Sequence, residues 1–250
     1  MNHEQRRFAG NTVIVTGAGA GIGRATAARI AQEGGRVVAS DVMAERLASL
    51  VAEHGDAIVA APGDIAQEEA VRHIVTACAG RIDGLVNDAG IMDGFLPAGE
   101  VDDQTWDRVL AVNLTAVMRL TRAALPAMLA AGSGSIVNVA SVAGLRGSAA
   151  GAAYTASKHG LIGLTRSTAF IYGPHGIRAN VLAPGGVETS IVAEPRSEAA
   201  WQRIAPVMSA VAPPSASPES LAANILWLLS DEAENINGAV LSSDGGWSAI

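Results

Sequence analysis

The chain alternates between short runs of β-branched residues and longer, alanine-rich segments with helical periodicity. The first such pair is the apolar run TVIVTG at 12–17 and the helical segment at 21–35. Repeated strand–helix alternation predicts an α/β fold, a doubly wound parallel sheet with helices on both faces. The other predicted strands are 36–40, 57–62, 83–87, 135–141, 177–184 and 238–245, and the other predicted helices are 67–80, 103–131 with a bend at Pro126, 152–173 and 217–231.

Length and composition favour one α/β domain across residues 1–250. Hydrophobic residues make up 49% of the chain but aromatic residues only 4%, so aliphatic side chains fill the core, as buried parallel sheets prefer. The segment 185–217 is irregular and rich in proline. Because long irregular segments in compact domains are usually functional, we interpret it as a lid over a substrate.

Charge and hydropathy exclude several classes of partner. The net charge is −7 and no basic run is longer than Arg6-Arg7, which argues against nucleic acid. Uninterrupted apolar stretches do not reach the roughly 18 residues of a membrane span. The first ten residues lack the apolar region of a signal peptide, and Cys78 is the only cysteine. We therefore expect a cytoplasmic protein without a membrane partner.

A glycine-rich turn, Gly17-x-x-x-Gly21-Ile22-Gly23, joins the first predicted strand to the first predicted helix. Glycines let the backbone approach a pyrophosphate, and a helix N-terminus favours its negative charge. The spacing differs from the commoner G-x-G-x-x-G, so a glycine turn without a ligand is the alternative. Asp41 after the second strand predicts NAD rather than NADP, because a carboxylate binds ribose hydroxyls and repels a 2′-phosphate. The alternative for Asp41 is an ordinary polar residue at a strand end.

Further candidate residues follow other predicted strands, where ligands bind in this topology. Asp64 and Ile65 follow the third strand and are predicted to face the adenine of the dinucleotide. The fourth strand ends where the cofactor must pass, in the sequence Asn87, Asp88, Ala89 and Gly90.

Tyr154 and Lys158 lie four residues apart on a predicted helix, so they share one face. A free tyrosine, with a pKa of about 10, is a poor base, and we expect the Lys158 ammonium to lower that pKa. The phenol would then exchange a proton with an alcohol or a carbonyl. Lys158 is the only lysine among 17 basic residues. The alternative is a surface pair without a chemical role.

Two polar residues extend this predicted acid–base group. Ser141 ends the fifth predicted strand, and we expect its hydroxyl to hydrogen-bond the substrate oxygen. Asn113 lies inside the long predicted helix, where asparagine is unfavourable, and we expect it to hold a water between that helix and Lys158. The alternatives are a turn serine and a helix kink or cap.

Together these residues resemble the short-chain dehydrogenase/reductase family over nearly the whole chain. The resemblance implies a Rossmann-like sheet of seven strands, hydride transfer at nicotinamide C4, and often a homotetramer built on helices near 103–131 and 152–172. It also implies a catalytic tetrad of Asn113, Ser141, Tyr154 and Lys158, the last two also touching the cofactor, and a segment closing over the nicotinamide carboxamide that includes Pro184, Gly185, Val187 and Thr189.

One position departs from the family pattern. The family usually has Asn-Asn-Ala-Gly where this chain has Asn87-Asp88-Ala89-Gly90, and the second asparagine commonly ties the central strands together. An ionised aspartate cannot donate through its side chain, and a buried charge costs stability unless it is paired or protonated. We therefore predict that Asp88→Asn raises or preserves the melting temperature.

Small and apolar residues surround the expected substrate position, and Arg146 is the nearest charge there. This environment favours a neutral, fairly hydrophobic ketone or secondary alcohol. We interpret Trp106, Trp227 and Trp247 as packing residues. The histidines lack metal-ligand spacing, so no metal is expected. The predicted substrate contacts are Ser141, Val142, Ala143, Tyr154, Gly186 and Ile191.

The sequence therefore predicts an NAD-dependent alcohol dehydrogenase or carbonyl reductase with a small-molecule substrate. Three alternatives remain open at this point. They are an NADPH-dependent ketoreductase of the 3-oxoacyl type, a non-catalytic nucleotide sensor on the same fold, and an isomerase, dehydratase or epimerase that holds its nicotinamide tightly.

Overall fold

The computed structural model describes residues 6–189, 191 and 194–249. The strands in these residues form one seven-stranded sheet in which all neighbours run parallel. They are β1 (Thr12–Thr16), β2 (Arg36–Ser40), β3 (Ile58–Ala60), β4 (Gly84–Asn87), β5 (Gly134–Val139), β6 (Ile177–Pro184) and β7 (Val240–Ser243). Their order across the sheet is β3-β2-β1-β4-β5-β6-β7. The predicted seven-stranded parallel sheet is confirmed.

Helices connect the strands and cover both faces of the sheet, as the alternation predicts. Within the described residues they are α1 (Gly21–Gln32), α2 (Ala44–His54), α3 (Glu68–Ala77), α4 (Asp103–Leu110), α5 (Ala116–Ala131), α6 (Ala152–Tyr172), α7 (Glu198–Val211) and α8 (Pro218–Leu229). No helix was assigned to the region of α2 from the sequence.

Alternate residues of the central strands belong to two separate apolar clusters. In β1, Val13 and Val15 pack with Ile30 of α1 on one face of the sheet. Ile14, between them, packs with Leu120 of α5 on the other face. All five side chains are at most 1% exposed. Because burying one such side chain contributes about 1.5–3 kcal/mol, this alternation fixes which helices cover which face.

The long predicted helix at 103–131 is interrupted at a different place from the one expected. A π-helical turn, Ala111–Thr115, separates α4 from α5, whereas α5 continues through Pro126. The π turn contains Asn113, whose side chain bonds to the backbone outside the helix. The helical stretch is therefore interrupted at Asn113 and not at Pro126, where a bend was predicted.

The predicted lid, 185–217, is not irregular throughout, because it contains the 14-residue helix α7. The Ser197 side chain accepts the Ala200 N–H and so caps the first turn, as serine often does. Pro206 lies inside the helix. The prolines of this segment led the sequence analysis to overlook a capped helix.

The helical stretch Asp103–Ala131 has the length and mean hydropathy, 1.2, that a membrane-spanning segment needs. The most apolar part of the stretch is 39% buried within the protein. Val117, Leu120 and Met128 on α5 are buried against the sheet or against α6. Packing inside the protein therefore accounts for part of this hydrophobicity.

Candidate active site

A cleft of about 1050 Å³ opens at the carboxyl ends of the strands, where ligands bind in open α/β sheets. Its volume lies at the upper end of the range for small-molecule sites, which suits a dinucleotide together with a small substrate. The predicted site residues that line it are Gly17, Gly21, Ile22, Asp41, Asp64, Ile65, Ala89, Gly90, Ser141, Val142, Tyr154, Lys158, Pro184, Gly185, Gly186, Val187, Thr189 and Ile191.

Four predicted site residues are not part of this lining: Gly23, Asn87, Asn113 and Ala143. All four are buried directly behind it. Ala143, for example, donates its backbone N–H to the Ser141 hydroxyl at 3.1 Å and has no exposed surface. These residues shape the cleft through the neighbours that line it.

The glycine turn has no room for side chains. Gly17 and Gly21 have φ angles of +69° and +53°, in the left-handed region that favours glycine. A β-carbon at Gly23 would collide with the Gly17 carbonyl oxygen. Helix α1 begins at Gly21 without a side-chain cap from the preceding residue, and its Gly23 N–H acts on the Asp88 carboxylate, so the N–H groups of Gly21 and Ile22 are left for a ligand. This cradle fits a pyrophosphate.

Asp41 follows β2 and forms the far end of the cleft. Its Oδ2 accepts the Gly19 N–H at 3.0 Å, and its Oδ1 accepts the Met43 N–H at 2.9 Å. The carboxylate is therefore fixed but keeps lone pairs for ribose hydroxyls. Arg46, from the unpredicted helix α2, lines the same end with an exposed side chain. This end of the cleft thus presents both an anion and a cation.

Asp64 forms an ion pair that the sequence did not predict. Its carboxylate lies 2.8 Å from Nη1 of Arg108 in α4 and also accepts the Ala66 N–H at 3.0 Å. Burial raises the pKa of Asp64, but the hydrogen bonds from Arg108 and Ala66 outweigh burial and hold it below its usual value. Ile65 is buried and lines the cleft beside this pair.

At the end of β4, the residue that ties the central strands together is Asn87, whereas the family pattern places this tie at position 88. Asn87 donates through Nδ2 to Oδ1 of Asn138 at 2.7 Å and so ties β4 to β5. The expectation that the second residue, Asp88, sits at this tie is wrong. Asp88 packs against the glycine turn instead. If Gly23 carried a β-carbon, that atom would lie 2.9 Å from the Asp88 carboxylate.

The Asp88 carboxylate lies in an environment that disfavours its charge. Burial raises the pKa of Asp88 to about 7, and the nearby charge of Asp41 adds to that shift. The Lys158 ammonium and the Gly23 N–H oppose it. A half-buried acid in the cleft with a pKa near neutrality changes its charge over the physiological pH range.

Tyr154, Ser141 and Lys158 converge on one wall of the cleft. Tyr154 is in the first turn of α6, and Lys158 follows one turn later. The Lys158 Nζ donates to the Val139 carbonyl at 2.9 Å and lies 5.4 Å from the centroid of the Tyr154 ring. Ser141 follows the end of β5 and meets α6 there. The topology thus brings a hydroxyl, a phenol and an ammonium to one place.

The prediction that Lys158 lowers the pKa of Tyr154 is wrong, because the groups of the protein together raise that pKa. Burial raises the pKa of Tyr154 to about 12, the Ser141 hydroxyl opposes the shift, and the negative charges of Asp88 and Asp93 add to it. Burial also lowers the pKa of Lys158 to about 8, with Asp88 opposing. Sequence spacing gives the pairing of these residues but not their depth in the fold.

The Asn113 side chain binds protein groups where a water-mediated link to Lys158 was expected. Its Oδ1 accepts the Ile91 N–H at 2.9 Å, and its Nδ2 donates to the Ile91 carbonyl at 2.9 Å and to the Ser157 hydroxyl at 3.2 Å. Asn113 therefore holds the segment after β4 against α6. A β-carbon on Gly90 would lie 3.4 Å from Asn113 Oδ1 and 3.6 Å from Lys158 Nζ, so Gly90 lies between them.

Asp93 is a buried carboxylate that the sequence analysis missed. Its Oδ1 accepts the N–H groups of Phe95 and Gly151 at 3.1 and 3.2 Å, and its Oδ2 accepts the Tyr154 N–H at 2.9 Å. It is 1% exposed and caps the start of α6 from another segment of the chain. The Asp-Gly pair at 93–94 signals a turn in the sequence but not this long-range role.

Other missed residues form the substrate end of the cleft. Trp247, interpreted as a packing residue, both packs in an apolar cluster and lines the cleft. Arg146, expected to be the nearest charge, instead donates to the Trp247 carbonyl and is not part of the lining. The further lining residues here that carry large side chains are Met92, Phe95, Arg196 and Met208.

Comparison with known proteins agrees with this geometry. A family model described as short chain dehydrogenase matches residues 11–200. The chain is 40% identical to 3beta-hydroxysteroid dehydrogenase 2 of Eggerthella lenta, over 97% of this chain and 96% of that protein. The crystal structure of levodione reductase matches with a TM-score of 0.87 at 36% identity, over 97% of this chain and 99% of that one.

A second solved structure carries a bound dinucleotide. It is described as an NAD(P)-dependent gluconate 5-dehydrogenase from Beutenbergia cavernae with NADP at low occupancy. It matches with a TM-score of 0.86 at 39% identity, over 98% of this chain and all of that one. The chain therefore belongs to the short-chain dehydrogenase family, whose members are NAD(P)-dependent oxidoreductases.

Proposed function

We propose that the protein is an NAD-dependent oxidoreductase that interconverts a neutral, fairly hydrophobic secondary alcohol and its ketone. The observation that carries this proposal is the convergence of Tyr154, Ser141 and Lys158 on one wall of the cleft that begins at the glycine turn. A buried phenol beside an ammonium is the arrangement needed to move a proton at a carbonyl oxygen.

The residues around the cleft give each part of a dinucleotide a partner. The pyrophosphate would lie on the glycine turn, and the adenosine ribose on Asp41. One of the three N–H groups of Lys158 is used by the Val139 carbonyl, which leaves two for the nicotinamide ribose. When bound, the dinucleotide supplies the hydride site at nicotinamide C4 and, in its oxidised form, a positive ring charge near Tyr154.

In alcohol oxidation, the Tyr154 oxygen takes the hydroxyl proton while the carbon-bound hydrogen leaves with its electron pair as hydride. In ketone reduction, the same phenol returns the proton to the oxygen. The Ser141 hydroxyl hydrogen-bonds the substrate oxygen and stabilises the charge that develops there. Because burial holds the Tyr154 pKa near 12, the phenol is protonated at neutral pH, and we expect oxidation to become faster as the pH rises.

The decisive comparison is between the two tyrosines of the chain. Oxidation of a panel of secondary alcohols with NAD would be followed at the nicotinamide absorbance. Tyr154→Phe should lower kcat by about 10²–10⁴-fold while dinucleotide binding persists. Tyr172→Phe, at the end of α6, is the matched control and should retain activity. Near-normal activity of Tyr154→Phe would rule out this mechanism.

The preference for NAD rests on Asp41, and two observations favour NADP instead. Arg46 lines the adenosine end of the cleft and could pair with a 2′-phosphate, and one similar structure has NADP bound. We propose that Asp41 prevails because its carboxylate is fixed by two backbone N–H groups, whereas Arg46 is exposed.

The two cofactors can be separated by their kcat/KM values. Asp41→Ala should raise the NADP/NAD ratio of kcat/KM, and Arg46→Ala should leave the use of NAD nearly unchanged. The NAD assignment is wrong if the wild-type kcat/KM for NADP equals or exceeds that for NAD, or if Arg46→Ala abolishes turnover. Either result favours an NADPH-dependent ketoreductase.

We also propose that the protein is a homotetramer built on α5 and α6. Near the end of α6, Phe170 is 85% exposed and Ile171 is 55% exposed, and Leu129 of α5 is 40% exposed. Large apolar side chains at this exposure are typical of protein interfaces. Sedimentation should give a tetramer that Phe170→Glu dissociates, and a wild-type monomer would contradict the proposal.

A further inference from the structure

The turn Asp93–Phe95 connects the first turn of α6 to the lid. On the lid side, the Arg196 N–H donates to the Gly94 carbonyl at 2.9 Å. The Phe95 ring packs edge-to-face on Trp201 of α7, with ring centroids 5.0 Å apart. On the other side, Asp93 accepts the Tyr154 N–H. The same three residues therefore touch both the lid and the proposed acid–base residue.

The conformation of this turn depends on the Asp93 carboxylate. Phe95 has a φ angle of +58°, in a region that costs free energy for a bulky residue unless its surroundings hold it there. The Asp93 Oδ1 accepts the Phe95 N–H and so helps to hold this conformation. One carboxylate thus supports the strained residue that contacts Trp201 and the helical turn that carries Tyr154.

We infer that Asp93 is a positioning residue that sets the place of the Tyr154 phenol and joins it to the lid. This inference rests on the proposed role of Tyr154. Three backbone N–H groups from two segments converge on one side chain that is 1% exposed. Replacement by asparagine would leave one oxygen and present an NH₂ donor to backbone N–H groups.

The Asp93 charge also acts on the phenol. The ionisable groups near Tyr154 are Asp93, Asp88 and Lys158, and Ser141 is its uncharged polar neighbour. Burial and the two carboxylates raise the pKa of Tyr154. Loss of the Asp93 charge should therefore lower the Tyr154 pKa, an effect that a purely structural residue would not have.

The first experiment measures the phenol directly and needs no substrate. In a Tyr172→Phe background, Tyr154 is the only tyrosine, so an ultraviolet difference titration reports its ionisation alone. Asp93→Asn should move the midpoint down, by less than the shift that burial causes. Asp93→Glu keeps the charge and should leave the midpoint near the value of the parent protein. An unchanged midpoint in Asp93→Asn overturns the inference.

The second experiment uses turnover and a matched control. At a fixed pH, Asp93→Glu should lower kcat by about tenfold, with KM for NAD within about twofold of wild type. Asp93→Asn should lower kcat by less, because its lower Tyr154 pKa partly offsets the displacement of the phenol. Asp83→Asn is the control, because Asp83 also accepts a backbone N–H, from Thr12 at 2.7 Å, but lies at the amino end of β4, whereas the cleft is at the carboxyl ends of the strands. Asp83→Asn should lower the melting temperature and leave kcat and the Tyr154 midpoint unchanged.

These outcomes separate the inference from the proposed function. If wild-type protein shows no turnover, the proposed function fails, yet the phenol titration still tests the link between Asp93 and Tyr154. If Asp93→Asn does not fold, Asp93→Glu carries the test, and wild-type kcat in that variant overturns the inference. Equal effects of Asp93→Asn and Asp83→Asn overturn it as well.

Discussion

The Arg146 guanidinium donates a hydrogen bond to the backbone carbonyl of Trp247, 101 residues further along the chain. Trp247 is only 6% exposed and packs with Val142 and Ala149 beside the proposed acid–base residue. Asp244 fixes the same turn by accepting the Ser248 N–H at 2.8 Å. The last turn of the described chain is therefore a fixed wall of the substrate end of the cleft.

Removal of this wall should change the size of substrate that the enzyme accepts. We expect Trp247→Ala to raise kcat/KM for bicyclic ketones relative to monocyclic ones by about tenfold, because the deleted indole leaves apolar space beside the cleft. Trp227→Ala on α8 is the control, since Trp227 is half-buried outside the cleft, and it should not alter the ratio. An unchanged ratio in Trp247→Ala would contradict this account.

Asp88 should make stability depend on pH. Its pKa of about 7 in the folded protein exceeds the unfolded value of about 4, so the folded state binds more protons between these values. The free energy of unfolding is therefore highest below about pH 4, and it falls as the pH rises from 4 through 7. Asp88→Asn carries no such charge and should be more stable than wild type at about pH 8, by up to about 4 kcal/mol for a pKa difference of about three at about 1.4 kcal/mol per pH unit.

Urea unfolding at two pH values checks the Asp88 prediction. The difference between Asp88→Asn and wild type should be clearly smaller at about pH 5, and it should approach zero only below about pH 4, where the acid is protonated in both the folded and the unfolded state. Asp56→Asn replaces an exposed carboxylate and serves as the control, with no such change between the two pH values. A variant that is less stable than wild type at about pH 8 would assign Asp88 a stabilising role.

Substitution in the glycine turn should weaken dinucleotide binding. A β-carbon at Gly23 would collide with the Gly17 carbonyl oxygen, so Gly23→Ala must displace the cradle. We expect NADH to bind at least about tenfold more weakly, as measured by its fluorescence. Gly99→Ala, where a β-carbon meets nothing within 4 Å, is the control. Equal affinities of the two variants would show that the cradle tolerates this change.

The single thiol should be unreactive in the folded protein. Cys78 is 2% exposed, and burial raises its pKa to about 11, so little thiolate forms at neutral pH. A chromogenic disulfide reagent should therefore label the chain only as fast as it unfolds, with stoichiometric labelling in denaturant. Rapid labelling of native protein would show that α3 and the segment after it open locally.

The positions at the strand ends could be predicted because they depend on two local facts. The apolar runs locate the strands, and a parallel doubly wound sheet brings their carboxyl ends together. Gly17, Asp41 and Ser141 lie at the cleft for this reason. The spacing of Tyr154 and Lys158 likewise fixes their common helix face without any knowledge of the rest of the fold.

The remaining features depend on contacts between distant segments. Asp93 matters because its carboxylate reaches the start of α6, and Trp247 because Arg146 holds its turn. The pKa of Tyr154 depends on burial, which sequence spacing does not reveal. Asn87, and not Asp88, ties β4 to β5 because the register of the two strands pairs Asn87 with Asn138.

The single lysine has a practical consequence for handling the protein. Lys158 is 3% exposed, lies on the wall of the cleft and has a pKa lowered to about 8, so near that pH much of its amine is uncharged and nucleophilic. Activated esters and aldehydes, which normally scatter over many surface amines, have only this side-chain amine to acylate or condense with. Lysine-based crosslinking or immobilisation would consequently either fail to modify any side chain or modify Lys158 and inactivate the enzyme.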